Sequence, residues 1–183
     1  MTTTMGTWTS DPASFFTRGQ RTRVRVYQDV DGVLNAHMPD SNWHSRSANG
    51  HAKADGTEYK LRWSPKMIET LDALDAYRVW ATTWCDDAEN NVRPLMGLAP
   101  AAYVLHPLSG MLSFPSIDWK LAAIVHDQME HPGPFIWFDD ETSLRERTIA
   151  EALGGIAPMV DSRRGLTVEN LEIAADYITR VKA

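Results

Sequence analysis

"VRVYQDVDGVLN", residues 24–35, begins as a strand and ends as something else. Its apolar alternation finishes by placing two carboxylates, Asp29 and Asp31, one residue apart and directly before Gly32. A strand that only fills a core does not end this way, because unpaired carboxylates at a buried strand end repel each other and are costly to desolvate. Something has to compensate the charge, and a divalent metal is the obvious candidate. Two plainer readings compete. A structural turn accounts for Asp and Gly at such spacing. A calcium loop of the EF-hand type does not fit: it needs a ligand where Val33 stands, a glycine where Leu34 stands and a helix in front.

Working outward from this stretch, strands and helices alternate. Residues 1–20 are polar, rich in Thr and Ser and without a sustained period, and are expected to be an arm outside the domain; residues 21–183 are expected to form one domain. After the strand "TRVRVYQDV" comes a loop with a hairpin arm reaching about Trp63. A helix follows, opened by Ser64 and Pro65 and carrying Met67, Ile68, Leu71 and Leu74. Strand "YRVWATT", a short helix near 86–95, strand "AAYVLH", helix "IDWKLAAIVHDQM", strand "PFIWFDD", helix "SLRERTIAEAL", strand "APMV" and a helix from about Val168 complete the chain. Short apolar strands alternating with helices predict an α/β protein whose parallel sheet is covered on both faces. In such sheets the ligand site lies beyond the carboxyl ends of the strands. There the sequence places Asp29 and Asp31, then Thr82 and Thr83, then Asp139, Asp140 and Glu141.

Two carboxylate clusters at neighbouring strand ends make an oxygen-lined magnesium site. Lys120 adds to the pattern. It falls in the first turn of a helix, where the helix dipole disfavours a cation, so a nearby anion is implied. The plain alternatives are a solvent-pointing lysine and acids that favour the start of the next helix, whose own capping box is Ser143 with Glu146.

The ordered set "YQDVDGVLN", "VWATTW", "DWK" and "FIWFDDE", spanning residues 27–141, resembles the four motifs of the haloacid dehalogenase (HAD) superfamily. More narrowly, "DVDGVLN", "VWATTWCDDAENNVRPLMGLAP" and "WFDDE" resemble the HAD domain of Swiss Army Knife RNA repair proteins. The resemblance implies a three-layer Rossmann-like fold and a phosphatase working through an aspartyl-phosphate. By it, Asp29 is the nucleophile and Asp31 the general acid and base. Mg2+ is held by Asp29, the backbone carbonyl of Asp31, and Asp139, with Asp140 a ligand or a partner behind it. Thr82 donates to a phosphoryl oxygen, with Thr83 the fallback if the motif is displaced by one residue, and Lys120 steadies both the phosphoryl group and Asp29. Each part meets a need, since phosphate monoesters hydrolyse extremely slowly and a dianion repels a carboxylate until metal and lysine neutralise it. Dehalogenases of the superfamily lack the second aspartate, so Asp31 favours phosphoryl chemistry.

Members of the superfamily carry caps after the first or the third strand. Only about ten residues separate "AAYVLH" from "IDWK", too few for a large cap. The insertion at about 36–63 predicts a flap with "TEYKLRW" as a strand, leaving the site open to a bulky phosphate. The flap carries Trp43, Tyr59 and Trp63 among Arg46, Lys53, Lys60 and Arg62, a mixture suited to base stacking and phosphate contact, or else to packing a hairpin onto the body. His37, His44 and His51 are read as exposed; Trp84, Trp119 and Trp137 as core or pocket wall; Arg163 and Arg164 as a solvated loop.

Composition bounds the rest. The net charge of -6 is uneven: residues 1–66 carry nine Lys and Arg against six Asp and Glu, and residues 67–183 carry nine against eighteen. An acidic body argues against broad nonspecific nucleic-acid binding while leaving room for a local basic surface. Cys85, the only cysteine, excludes an intramolecular disulfide, and no apolar run has the length of a membrane span, so a cytoplasmic protein without a membrane or an obligate protein partner is expected. The expected partner is a phosphorylated substrate, with RNA or DNA ends or nucleotides leading. A small-metabolite phosphatase and a catalytically silent binding module are the alternatives.

Overall fold

The computed structural model describes residues 23–108 and 119–183; the polar arm expected over 1–20 and the segment 109–118 lie outside the described residues. In chain order the elements are β1 (Val24–Gln28), β2 (Ala48–Ala54), β3 (Thr57–Trp63), α1 (Pro65–Asp72), β4 (Ala76–Trp80), α2 (Arg93–Met96), β5 (Tyr103–Val104), α3 (Trp119–Glu130), β6 (Phe135–Phe138), α4 (Leu144–Ala152) and α5 (Val168–Lys182). The predicted caps form where the sequence places them. Ser64 accepts from the Met67 N–H with Pro65 at the helix start, and Ser143 and Glu146 complete a capping box.

Every residue of β1 is buried, as a central strand of a covered sheet requires. It pairs in parallel with β4 on one side and β6 on the other, and the four-stranded order is β5-β4-β1-β6. The chain therefore moves outward from β1 to β4 and β5, then returns to place β6 on the far side of β1. The order reverses between β1 and β6, the place at whose carboxyl ends such sheets form their ligand crevice. Gln28 is level with both Trp80 and Phe138, so Asp29, Ala81 and Asp139 leave the sheet side by side.

Alternation along the strands sends side chains to two cores. Val24, Val26, Trp80, Ile136 and Phe138 pack with α1 and α5 through Met67, Ile68, Leu71, Leu171 and Ile178. Tyr27, Val79, Phe135 and Trp137 pack with α3 and α4 through Leu121, Ile124 and Ala150. The result is a three-layer Rossmann-like α/β fold.

Two expected elements differ. "APMV" does not form a strand: only Ile156 bridges to Ile136, accepting from the Trp137 N–H at 2.8 Å and donating to the Phe135 carbonyl at 3.0 Å. The next residue able to continue the ladder on that side is Pro158, which has no N–H to give. The short helix near 86–95 runs as a π-turn over Ala88–Val92 before closing as α2, with the Arg93 N–H bonding back to the Ala88 carbonyl.

The expected flap is the antiparallel hairpin β2–β3. Its inner face, with Ala52, Leu61 and Trp63 buried, rests on the segment after β4. Gly50 lies so close there that a Cβ would stand 2.6 Å from a Leu95 methyl carbon. Asp87 accepts from the Asp55 N–H at 3.0 Å and Asn91 donates to the Lys53 carbonyl at 2.8 Å, fastening the hairpin tip. Trp43 and Trp63 are buried, so packing rather than base stacking is their role; Tyr59 lies against Trp84, ring centroids 5.3 Å apart. The outer face presents Asn49, His51, Lys53, Glu58, Lys60 and Arg62, all exposed.

Candidate active site

The crevice between β1 and β6 gathers four groups that are separated widely in sequence and almost sealed from solvent: Asp29 is 6% exposed, Lys120 4%, Asp139 2% and Thr82 0%. Asp29 follows β1 directly, its backbone N–H donating to the Phe138 carbonyl at 3.0 Å, so the ladder to β6 fixes its position. One carboxylate oxygen accepts from the Val30 N–H at 2.6 Å and the other pairs with the Lys120 ammonium. Lys120 also reaches Asp139 Oδ2 at 2.7 Å, and Asp139 Oδ1 accepts from the Glu141 N–H at 2.9 Å. Thr82 is fully buried and its hydroxyl accepts from the Trp84 backbone N–H at 3.3 Å, whereas Thr83 is exposed. Beyond Thr82 the chain turns sharply through Cys85, a non-glycine residue at φ 44°.

Asp140 completes the cluster. Ligand-capable oxygens of Asp29, Asp139 and Asp140 lie within 4.8 Å of one another. Gly32 makes this possible: it sits at φ 68°, and a Cβ there would stand 2.2 Å from the Asp140 carboxylate carbon. The glycine after Asp31 thus serves both the turn and the seat of Asp140.

The charges do not balance within the protein. Burial pushes the Asp29 carboxyl up, against the opposing pull of Lys120 and Thr82. Burial also pulls the Lys120 ammonium down, but Asp29 and Asp139 outweigh it and hold it above its ordinary range. Burial, with the neighbouring Asp139, Asp29 and Glu141 charges adding to it, pushes Asp140 up to about 6. Three carboxylates facing one ammonium leave an anionic, oxygen-only pocket, a donor set that fits a hard divalent cation such as magnesium.

Lys120 is held by what lies two turns along α3. Asp127, on the same side of the helix, is buried and accepts from Tyr27 and from Tyr103 at 2.7 Å, with Arg25 at 3.3 Å. Gln128 donates to the Tyr27 hydroxyl at 2.9 Å. Arg25 and Tyr27 belong to β1, so the strand that delivers Asp29 also fixes the helix that delivers Lys120. Nothing in the spacing of these residues announced the network.

Asp31 stands apart. Its side chain is outside the Asp29, Asp139 and Asp140 cluster, and the residue is exposed. Oδ1 accepts from Asn35 Nδ2 at 2.7 Å and Oδ2 from Trp84 Nε1 at 2.8 Å. Sequence reasoning placed Trp84 in a core or pocket wall and assigned Asn35 no role; proximity to Thr82 and to the Asp-x-Asp-Gly turn was the only available signal. His37, His44 and His51 are exposed. Arg164 is held by an ion pair of 2.7 Å with buried Asp40, and Arg163 accepts from the Met38 N–H through its carbonyl, so this loop braces the chain leaving the Asp29 turn. Among the described residues no helix is long and apolar enough to cross a membrane. No protein-family profile matches the chain, and no curated protein matches it.

Proposed function

We propose that the chain is a magnesium-dependent phosphatase that hydrolyses phosphate monoesters through a phosphoryl group carried on Asp29, with nucleic-acid ends or nucleotides as the leading substrate class. The observation that carries this reading is the buried Lys120 ammonium bridging Asp29 and Asp139 at the crevice, with Asp140 in ligand reach. Asp29, Asp139 and Asp140 would hold the metal, together with the Asp31 carbonyl by the resemblance to HAD phosphatases. When bound, the cation supplies charge neutralisation for the phosphoryl oxygens.

The residues then divide the work. An Asp29 oxygen attacks phosphorus as the ester P–O bond breaks, and Asp31 gives its proton to the departing oxygen. Asp31 next takes a proton from water, the water oxygen attacks phosphorus, and the Asp29 carboxylate and inorganic phosphate are released. Lys120 and the Thr82 hydroxyl serve the phosphoryl oxygens. Lys120 also favours the ionised form of Asp29, which a nucleophile requires, against the upward push of burial.

The outer face of β2–β3 supports the nucleic-acid preference. Lys53, Lys60 and Arg62 share that face with His51, and none of the three cations forms an ion pair among the described residues. A phosphodiester strand led to the crevice along this face would release counterions. The test is phosphate release, with Mg2+ or with chelator, from small esters, nucleotides and oligonucleotides phosphorylated at either end. Magnesium-dependent release, fastest on oligonucleotides, supports the full reading. Release confined to small esters removes the nucleic-acid preference, and release from no ester removes the phosphatase.

A further inference from the structure

Asp31 is oriented by two donors that the hairpin holds in place. Asn35 is fixed at both ends: its Oδ1 accepts from the Arg62 backbone N–H of β3 at 2.9 Å, which leaves Nδ2 to donate to Asp31 Oδ1 at 2.7 Å. With the carbonyl end committed to a backbone donor, the amide has no equivalent flipped state. On the other side, the indole of Trp84 donates to Asp31 Oδ2 at 2.8 Å. The indole is 5% exposed and lies against Tyr59 of β3, rings tilted by 59°. The Trp84 backbone N–H bonds to Thr82 Oγ1 at 3.3 Å, so the donor is also tied to the threonine at the nucleophile.

A short carboxylate at an exposed turn is otherwise free to rotate, and a proton donor must point at one oxygen of the ester. Each Asp31 oxygen has one lone-pair site engaged and another left for the reaction. Resting on the phosphatase reading, we infer that Trp84 and Asn35 are positioning residues for Asp31, and that hairpin β2–β3, through Arg62 and Tyr59, sets the geometry of proton transfer. The hairpin thereby acts on the chemical step as well as on substrate docking.

The test replaces Trp84→Phe, which keeps a ring against Tyr59 and deletes the N–H, and separately Asn35→Ala, which deletes the second donor at a half-buried loop position. For each, kcat and KM are measured on phosphate monoesters with poor and with good leaving groups, and Mg2+ binding is followed by its effect on Tm. Both variants should lose about 10-fold or more in kcat/KM on poor leaving groups, since misplacement of a reacting group costs up to about 10²-fold. The Mg2+ effect on Tm should stay near wild type, as should kcat/KM on good leaving groups, which reports ester cleavage and not the later hydrolysis of the Asp29 adduct. Equal losses of kcat/KM across leaving groups, or no loss on poor ones, would overturn the positioning role while the phosphatase stands. A wild-type protein that hydrolyses no ester would overturn both together.

Discussion

At the crevice beneath Asp29, charge is buried and held by close ion pairs that join β1, α3 and the end of β6. On the outer face of β2–β3, charge is exposed, and its cations form no ion pair among the described residues. The first arrangement is expensive to assemble and gains geometric definition; the second is cheap and gains long-range attraction for an anion. On the proposed function the difference separates two tasks, phosphoryl chemistry in the crevice and capture of a long substrate on the ribbon, and the hairpin's inner face connects to the crevice through Tyr59, Trp84 and Asp31.

The sharpest way to break this comparison is Asp29→Asn. The amide keeps the shape and cannot attack phosphorus, so turnover should fall by at least about 10⁴-fold, as for other nucleophile deletions. Circular dichroism should show the fold retained; turnover close to wild type would remove Asp29 from the reaction. Thr82→Ala comes next, with an expected loss on the order of 10²-fold in kcat for one preorganised donor. If Thr83→Ala is the more damaging change, the exposed residue is the true partner of the phosphoryl group and the buried hydroxyl is structural.

The ribbon side predicts smaller and more selective effects. Replacing Lys53 and Lys60 with Gln should weaken oligonucleotide use and lower the salt slope by up to about two, roughly 0.7–0.9 for each phosphate no longer neutralised. Turnover of an aryl phosphate should remain the same. Loss of both activities in parallel would erase the division of tasks and make the ribbon a support only.

How far these two regions were legible in the sequence follows from the range of their interactions. Asp29, Asp139 and Lys120 could be placed because strand ends and a helix start are set by local pattern, and the topology then brings them together. Gly32 was readable as a turn residue, but its second purpose, making room for Asp140, depends on an approach across the crevice. Trp84 and Asn35 stayed hidden for the same reason. An indole after a buried threonine reads as core, and only the register of the hairpin, which aims the Arg62 N–H at Asn35, brings the pair's contact with Asp31 into view. The missing "APMV" strand had a local signal in Pro158, outweighed by the apolar residues around it.

The smallest effect concerns Asp140. Burial and like charges raise its folded value to about 6, above the ordinary carboxylate range, so the ionised group opposes folding above that pH and ceases to do so as pH falls through 6 towards 4. Asp140→Asn should therefore raise the Tm of the metal-free protein by a few degrees at pH 7, with the gain shrinking at pH 5. Stabilisation by Mg2+, about 2.7 kcal/mol at one hundred times the dissociation constant, should need a higher concentration in the variant. A variant less stable than wild type at pH 7 without metal would show that Asp140 is not strained by its neighbours.

The most direct test of the central claim is to look for the phosphoryl group on Asp29. The protein is mixed with Mg2+ and a rapidly cleaved phosphate monoester, quenched in acid during turnover and digested, and the peptide containing Asp29 is weighed by mass spectrometry. A single phosphoryl adduct on Asp29, removed by hydroxylamine and absent from Asp29→Asn, is the result the account predicts. Sustained turnover with no adduct on that peptide, and with phosphate release surviving in Asp29→Asn, would contradict it.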